Sequence, residues 1–396
     1  MLTDRQLFYK ILAQTSDSPL GLEVSHAEGV FLYGPDGRKY YDLVSGVSVS
    51  NAGHRNPEIN QAVIAQLDKY SHLMVYGELV QSPQTRYAEF LVSLLPEHLN
   101  NVYLVNSGSE AIEGAMKLAK RYTGRTELVA FKNAYHGSSQ GALSLLGDET
   151  LKQSFRPLLP DVHFLTFNNE EDLPLISEKT ACVVVEPIQG EAGIILPEHD
   201  FLKKLSRRCK ETGALLVFDE VQTGIGRTGR NFAFEHYGVV PDVLVLAKAL
   251  GGGMPLGAFI SSKEIMQTLT HDPVLGHITT FGGHPVCCAA GLASFNFLQK
   301  TITNSETDNK ANLFYSLLEG RKHIKEIRYK GLLMAIELGE SDKLQQFIRL
   351  GIAKGFISDW FLFCDTAFRI SPPLIITEEQ IREVCQLIDE CLEEIG

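Results

Sequence analysis

The sequence predicts an α/β fold, a mostly parallel sheet between helices, joined to a smaller α+β part, and three observations carry that prediction. From about residue 57 to 295, helical patterns alternate with short apolar runs bounded by turn residues, the rhythm of repeated strand–helix units. The runs 102–105, 127–131, 181–185, 214–218 and 243–246 are apolar throughout, as expected of strands buried on both faces. Beyond residue 296 the rhythm changes to a helix, a strand pair around Ile327 to Leu338, another helix and a final amphipathic helix.

The elements follow in order. Leu7, Phe8, Ile11 and Leu12 mark a short amphipathic helix, and Gly34-Pro35-Asp36-Gly37 sits at the centre of a hairpin spanning Gly29 to Tyr40. These peripheral elements form the first segment, 1–56. The alternating region forms a large segment, 57–295. The remainder, 296–396, closes with Ile381, Val384, Cys385, Ile388, Cys391 and Leu392 at helical spacing. A small domain drawn from both ends of the chain accommodates the first and last segments.

Composition narrows the classes of function. A chain of 396 residues that is 44% hydrophobic buries a large core, which excludes disorder. Its formal charge of −12 with no long basic run makes nucleic acid and anionic membrane poor partners. Seven cysteines, an odd number and mostly inside apolar runs, read as small buried hydrophobes in a reducing compartment. Asp4, Arg5 and Lys10 interrupt any signal-peptide core, and the other apolar stretches are too short for a membrane span, so a cytoplasmic protein is expected.

The chemistry gathers at strand ends. Val217-Phe218-Asp219-Glu220 ends a buried strand in two acids, and ligands of such sheets collect at the carboxyl ends of strands. Val243-Leu244-Val245-Leu246-Ala247-Lys248 ends another in a lysine before Gly251-Gly252-Gly253. A lysine so placed could simply point to water; company argues otherwise. Asn106-Ser107-Gly108-Ser109-Glu110-Ala111 opens a helix with small residues, which lets backbone N–H groups and the helix dipole meet a phosphate. Pyridoxal phosphate needs these parts together: an amine to carry it as a Schiff base (Lys248), a carboxylate for its pyridine nitrogen (Asp219), and an aromatic face such as Tyr135. The freed Lys248 amine can then move a proton as general base and acid.

The stretches Leu216 to Gly226, Lys248 to Gly257, Asn106 to Ala111, Tyr135-His136-Gly137, Val185-Glu186-Pro187-Ile188-Gln189-Gly190-Glu191 and Thr280-Phe281-Gly282-Gly283-His284-Pro285 together resemble the class III aminotransferases, in the acetylornithine, ornithine and 4-aminobutyrate branch. The resemblance is collinear over nearly the whole chain. It implies the fold of fold-type I pyridoxal phosphate transferases and a homodimer with shared active sites. It also implies transfer of an amino group from an amino acid or ω-amine to 2-oxoglutarate or pyruvate. It assigns Gly108 and Ser109 to the cofactor phosphate, Tyr135 and Val221 to the two ring faces, Asp219 to the ring nitrogen and Gln222 to the phenolic oxygen. Thr280 would reach the phosphate of the neighbouring subunit, and Glu191 with Arg369 would form a gate over an arginine that takes an α-carboxylate. His136 is expected to hold its loop, Glu186 to support the pocket, Glu220 to form ion pairs, and Cys287-Cys288 to start a helix rather than bind metal.

Three departures bear on the substrate. The branch usually continues His-Gly-Arg-Thr after the stacking aromatic, the arginine gripping a substrate carboxylate; this chain has Ser138, which cannot form such a clamp, so that another arginine such as Arg156 substitutes or the substrate lacks that carboxylate. The early-loop tyrosine of ornithine enzymes is missing near Val47, and His284 replaces the usual asparagine. An aminomutase or decarboxylase on the same scaffold is the competing reading. A binding protein without turnover has no need of Lys248, Asp219 and Arg369 together.

Overall fold

The computed structural model describes residues 2–75 and 77–395. Near the N-terminus lie β1 (His26–Glu28), β2 (Phe31–Tyr33) and β3 (Lys39–Asp42), the last two forming the expected hairpin. The alternating region supplies β4 (Asn101–Val105), β5 (Glu127–Phe131), β6 (Val162–Leu165), β7 (Thr180–Val185), β8 (Leu215–Asp219), β9 (Val243–Leu246) and β10 (Gly257–Ser261). The C-terminal part adds β11 (Glu326–Lys330), β12 (Leu333–Glu337), β13 (Phe356–Ile357), β14 (Trp360–Phe361) and β15 (Cys364–Ile370).

The central sheet has seven strands in the order β4-β10-β9-β8-β7-β5-β6. Strands β9, β8, β7, β5 and β6 are parallel, whereas β10 runs against both of its neighbours. Because β4 is antiparallel to β10, it points the same way as the rest. The carboxyl ends of β4, β5, β7, β8 and β9 therefore share one edge of the sheet. β7, β8 and β9 are buried along their whole length, as continuous apolar runs require. The run 102–105 departs from the expectation of burial on both faces: β4 is the edge strand and only Val105 is fully buried. β6 and β10 escape the reading of apolar runs because a polar residue interrupts or bounds each, His163 in β6 and Ser261 closing β10.

The helix Gly108–Thr123 lies against the sheet with a wholly apolar face, Ala111, Ile112, Ala115, Met116, Leu118 and Ala119, and ends on Gly124 in the left-handed conformation. The two smaller sheets draw on both ends of the chain. β13 joins β1–β3 by pairing in parallel with β3, and β11, β12, β15 and β14 form an antiparallel sheet. The final helix Glu378–Glu394 buries the six residues expected of it. The first helix, Asp4–Ile11, buries none, consistent with a peripheral element.

A knot at Arg227, in the stretch after β8, holds the terminal segments together. Arg227 is fully buried, donating to the carbonyls of Leu332 (3.0 Å) and Pro372 (2.6 Å) and to the side chains of Ser45 and Asn51. The turn it holds is unusual: Ser45, Gly46, Val47 and Ser48 all have φ between 46° and 64°. Such a left-handed turn costs backbone energy, most for β-branched Val47, and survives only when its surroundings over-determine it. The Asp42 carboxylate accepts from the amides of Val44 and Ser45, and Ser45 Oγ donates to the Ser371 carbonyl (2.6 Å). This strained turn packs against the segment Lys248–Gly251.

All seven cysteines are free. Among the described residues no helix is long and apolar enough to cross a membrane, and no cluster of three or more potential metal ligands occurs.

Candidate active site

The shared edge of the central sheet opens into a cavity of about 400 Å³ lined by residues from five strand ends. Ser107, Gly108 and Ser109 follow β4, Tyr135 and His136 follow β5, and Glu186 follows β7. Asp219 closes β8, and Lys248 stands just past β9. Glu191 and Gln222 complete the polar side, while Val49, Val221, Met254, Pro255 and Leu256 are apolar.

Each side chain has a local reason for its place. Ser107, not Ser109, caps the helix Gly108–Thr123, its Oγ accepting from the Glu110 amide at 3.2 Å; the remaining first amides have no partner inside the helix and face the cavity end. Ser109 Oγ instead accepts from the Ser138 amide (3.0 Å), tying the helix start to the loop bearing Tyr135. Two glycines allow this approach: a Cβ on Gly108 would meet both Val221 methyls at 3.1 Å, and one on Gly137 would stand 1.9 Å from Ser109 Oγ. Lys248 itself has φ +50°, a left-handed conformation that non-glycine residues adopt at a cost, and the strained turn at 45–48 packs beside it. Its amine has no hydrogen bond or ion pair among the described residues and projects into the cavity.

Asp219 is nearly fully buried. Its Oδ2 meets His136 Nδ1 at 2.7 Å and its Oδ1 accepts from the Val221 amide at 3.0 Å. His136 thus does more than hold its loop. Burial opposes charge on the imidazole, yet the Asp219 hydrogen bond and the nearby Glu186 outweigh it and raise its pKa. Burial pushes Glu186 up to about 7, although it accepts from the amides of Gly190 and Tyr135. Burial lowers the Lys248 pKa, more than the carboxylates of Glu191, Asp219 and Glu186 restore it.

Glu191 and Arg369 do meet, with both Glu191 oxygens 3.1 Å from Nη2. Gln222 lies between them, its amide nitrogen donating to Glu191 and its oxygen accepting from Arg369 Nη1, each at 3.0 Å. Arg369, 1% exposed, is absent from the cavity lining because these two side chains cover it.

Three expectations change. Glu220 forms no ion pair among the described residues; it accepts from the amides of Ala233 and Phe234, capping the short turn Ala233–His236, and burial pushes its pKa up to about 8. Strand alternation turned it away from Asp219 as expected, into backbone rather than charge. Arg156 is exposed, bound to Glu149 at 2.6 Å and outside the cavity, so it does not replace the missing loop arginine. The early loop presents Val49 rather than Val47 to the cavity, because the left-handed turn shifts the side-chain register. Thr280, expected in the neighbouring subunit's site, is exposed and does not line the cavity of its own chain. Sequence reasoning missed Asp359, which bonds Arg369 Nε at 2.8 Å. Its signal was a lone charge in the apolar run Phe356 to Phe363, facing an arginine in another apolar strand.

Comparisons with known proteins agree with this geometry. The family described as Aminotransferase class-III matches residues 11–392. The acetylornithine aminotransferase of Methanocaldococcus jannaschii is 38% identical over 93% of this chain and 92% of its own length. The LysW-aminoadipate semialdehyde/glutamate semialdehyde transaminase of Sulfolobus acidocaldarius is 36% identical over 94% and 95%. The solved ornithine aminotransferase of Toxoplasma gondii superposes with a TM-score of 0.90 at 27% identity, covering 98% of this chain and 93% of that one. With a family match over nearly its whole length and its strand-end lysine, acid and helix start in one cavity, the chain belongs to the class III aminotransferases.

Proposed function

We propose that this aminotransferase works with pyridoxal 5'-phosphate held on Lys248, moving an amino group from an amino acid or ω-amine to 2-oxoglutarate or pyruvate. The observation that carries the reading is the unpartnered Lys248 amine sharing one cavity with the Asp219 carboxylate and the start of the helix Gly108–Thr123. The residues fit that group. A 16-residue helix presents free first amides for a phosphate, Gly108 and Gly137 leave a cradle that a Cβ would fill, and a buried carboxylate is already oriented for a ring nitrogen.

When bound, this cofactor supplies an electron-withdrawing ring and an aldehyde carbon that takes up and returns the amino group. The chain supplies the rest. Lys248 Nζ, driven toward its neutral form by burial, would, once freed by the incoming amine, take the proton from the donor Cα and deliver it to the cofactor's former aldehyde carbon. Asp219, held by His136 and the Val221 amide, keeps a negative charge against the ring nitrogen. Gly108 and Ser109 hold the phosphate, Tyr135 and Val221 border the ring, and Gln222 serves the phenolic oxygen. Arg369 receives the carboxylate of amino acid and oxo acid in turn once Glu191 moves aside, and the apolar wall of Val49, Met254, Pro255 and Leu256 excludes water.

The same reading extends to assembly. Val80 is 95% exposed, and Val75, Val274, Leu275 and Ile278 line a second cavity of about 510 Å³ near Thr280. An apolar surface of this kind suits a second copy of the chain, with Thr280 entering its site. We place a large cofactor-binding domain at 57–295 and a small domain at 1–56 and 296–396, in a cytoplasmic enzyme.

Incubating the holoenzyme with donor alone tests the reaction. A transferase stalls after releasing one oxo product per site and loses its visible absorbance, whereas an aminomutase returns its spectrum. Absorbance loss with glutamate supports an acetylornithine-like enzyme; silence with glutamate and a response to alanine rejects it. Lys248→Ala should keep the fold and lower turnover by roughly a thousandfold or more. Full activity in that variant removes the mechanism.

A further inference from the structure

The three nitrogens of the Arg369 guanidinium have different neighbours. Nη1 meets the Gln222 amide oxygen and Nη2 meets Glu191, and both of these side chains line the cavity. Nε meets Asp359 Oδ1 at 2.8 Å, and Asp359 lies outside the cavity lining. The front of the fork is thus covered by two residues that the cavity can reach, and its back by one that it cannot.

The back is also the firmer contact. The Arg369 amide donates to the Asp359 carbonyl at 2.9 Å, Ser358 Oγ donates to the Arg369 carbonyl at 2.7 Å, and the Phe361 ring lies 4.5 Å from the guanidinium carbon. Asp359 and Arg369 are therefore bound twice, by backbone and side chain, across the junction of β14 and β15. Glu191 sits in the crossover after β7, its side chain held by Gln222 Nε2 and the Leu362 amide. Two parallel N–H groups on a planar fork match a carboxylate, but only if the fork keeps its plane when its front partners leave.

We propose that Asp359 is the positioning residue that keeps Arg369 fixed as a carboxylate receptor, while Glu191 and Gln222 together form the cap an incoming carboxylate displaces. The inference rests on the reading of Arg369 as that receptor and adds its anchor and the second half of its cap. Losing Glu191 alone leaves Nη1 engaged by the Gln222 oxygen, so two-point binding needs Glu191 to leave and the Gln222 amide to turn from Nη1 toward the phenolic oxygen assigned to it. Asp359 then remains the one counter-charge, and Arg369 does not swing into the cavity after the substrate.

The chain carries a reporter for this event. Its single tryptophan is Trp360, next to Asp359, and its carbonyl accepts from Arg369 Nη2 at 3.4 Å. Titrating the holoenzyme with succinate and propionate, which cannot undergo amino transfer, should give a saturable change in tryptophan fluorescence. Asp359→Ala should raise the succinate Kd by roughly tenfold or more, the loss expected for one charge-assisted hydrogen bond. Asp359→Asn, which keeps an acceptor for Nε, should recover most of that loss. Wild-type protein with no saturable response, or Asp359→Ala with an unchanged Kd and only a lower melting temperature, overturns the proposal. A wild-type response without amino transfer to any oxo acid removes the proposed function and leaves this inference standing.

Discussion

Arg227 and Arg369 are equally hidden, at 0% and 1% exposure, yet burial acts on them in opposite directions. Arg227 donates to neutral oxygens, those of Leu332, Pro372, Asn51 and Ser45, and burial, only partly offset by the nearby Asp42 carboxylate, pulls its pKa down to about 9, leaving it a cation at neutral pH. Arg369 suffers the same burial, but the carboxylates of Glu191 and Asp359 outweigh it and raise its pKa. Neutral dipoles tolerate a buried charge; opposite charges hold it. The first arrangement ties four stretches of chain into one knot in the dry interior. The second, beside a water-accessible cavity, has partners that a carboxylate can replace.

The largest expected effect breaks the knot. Arg227→Met leaves the Leu332 and Pro372 carbonyls and the Asn51 side chain without donors, and should lower unfolding free energy by about 3 kcal/mol or more in urea denaturation. A wild-type stability would show that Arg227 binds these segments only incidentally. Arg369→Met should cost less, about 1–3 kcal/mol at neutral pH, because Glu191 borders the cavity and Asp359 keeps 27% of its side chain exposed, so water reaches both.

The pH dependence sharpens the contrast. Burial alone would raise the Glu191 pKa, but Arg369, with Lys248 and the hydrogen bonds from Gln222 and the Leu362 amide, outweighs it and holds it below the usual carboxylate range. A depressed acid contributes stability above its unfolded value, near 4.3, and loses it as pH falls through the folded value. The gap between wild type and Arg369→Met should therefore be widest at neutral pH and close in acid; a gap that widens in acid contradicts the pairing. Glu186 supplies the smallest effect, and in it, as in Arg227, burial outweighs what its neighbours restore, here His136 and two backbone amides. Its pKa, raised to about 7 by burial, means stability present below the unfolded value is lost as pH rises through 7. Glu186→Gln should flatten a slope of up to roughly 1 kcal/mol per pH unit between about pH 4.5 and 7, measured by denaturation across that range.

Legibility in the sequence followed the locality of each cause. Asp219 and Lys248 could be read because each ends an apolar run, and a run buried on both faces fixes which edge its last residue reaches. Gly108 and Ser109 could be read as a helix start, although the cap fell to Ser107. The role of Glu220 could not, since the amides that donate to it lie thirteen and fourteen residues on and nothing near it marks a backbone partner. The fate of Arg156 was equally closed, because Glu149 holds it across a loop whose path no local pattern encodes.

The sequence by itself determined the strand ends, the lysine and acid they carry and the family to which the chain belongs. Apolar periodicity and short motifs are properties of neighbouring residues, and neighbours along the chain remain neighbours in the fold. Only the tertiary structure decided that Arg227 would knot four segments and that Asp359, Glu191 and Gln222 would divide the nitrogens of Arg369 between a fixed back and a displaceable front. Those contacts join residues 31 to 182 positions apart, or hang on the register of one bulged hairpin, and a buried charge takes its character from whichever partners packing brings to it.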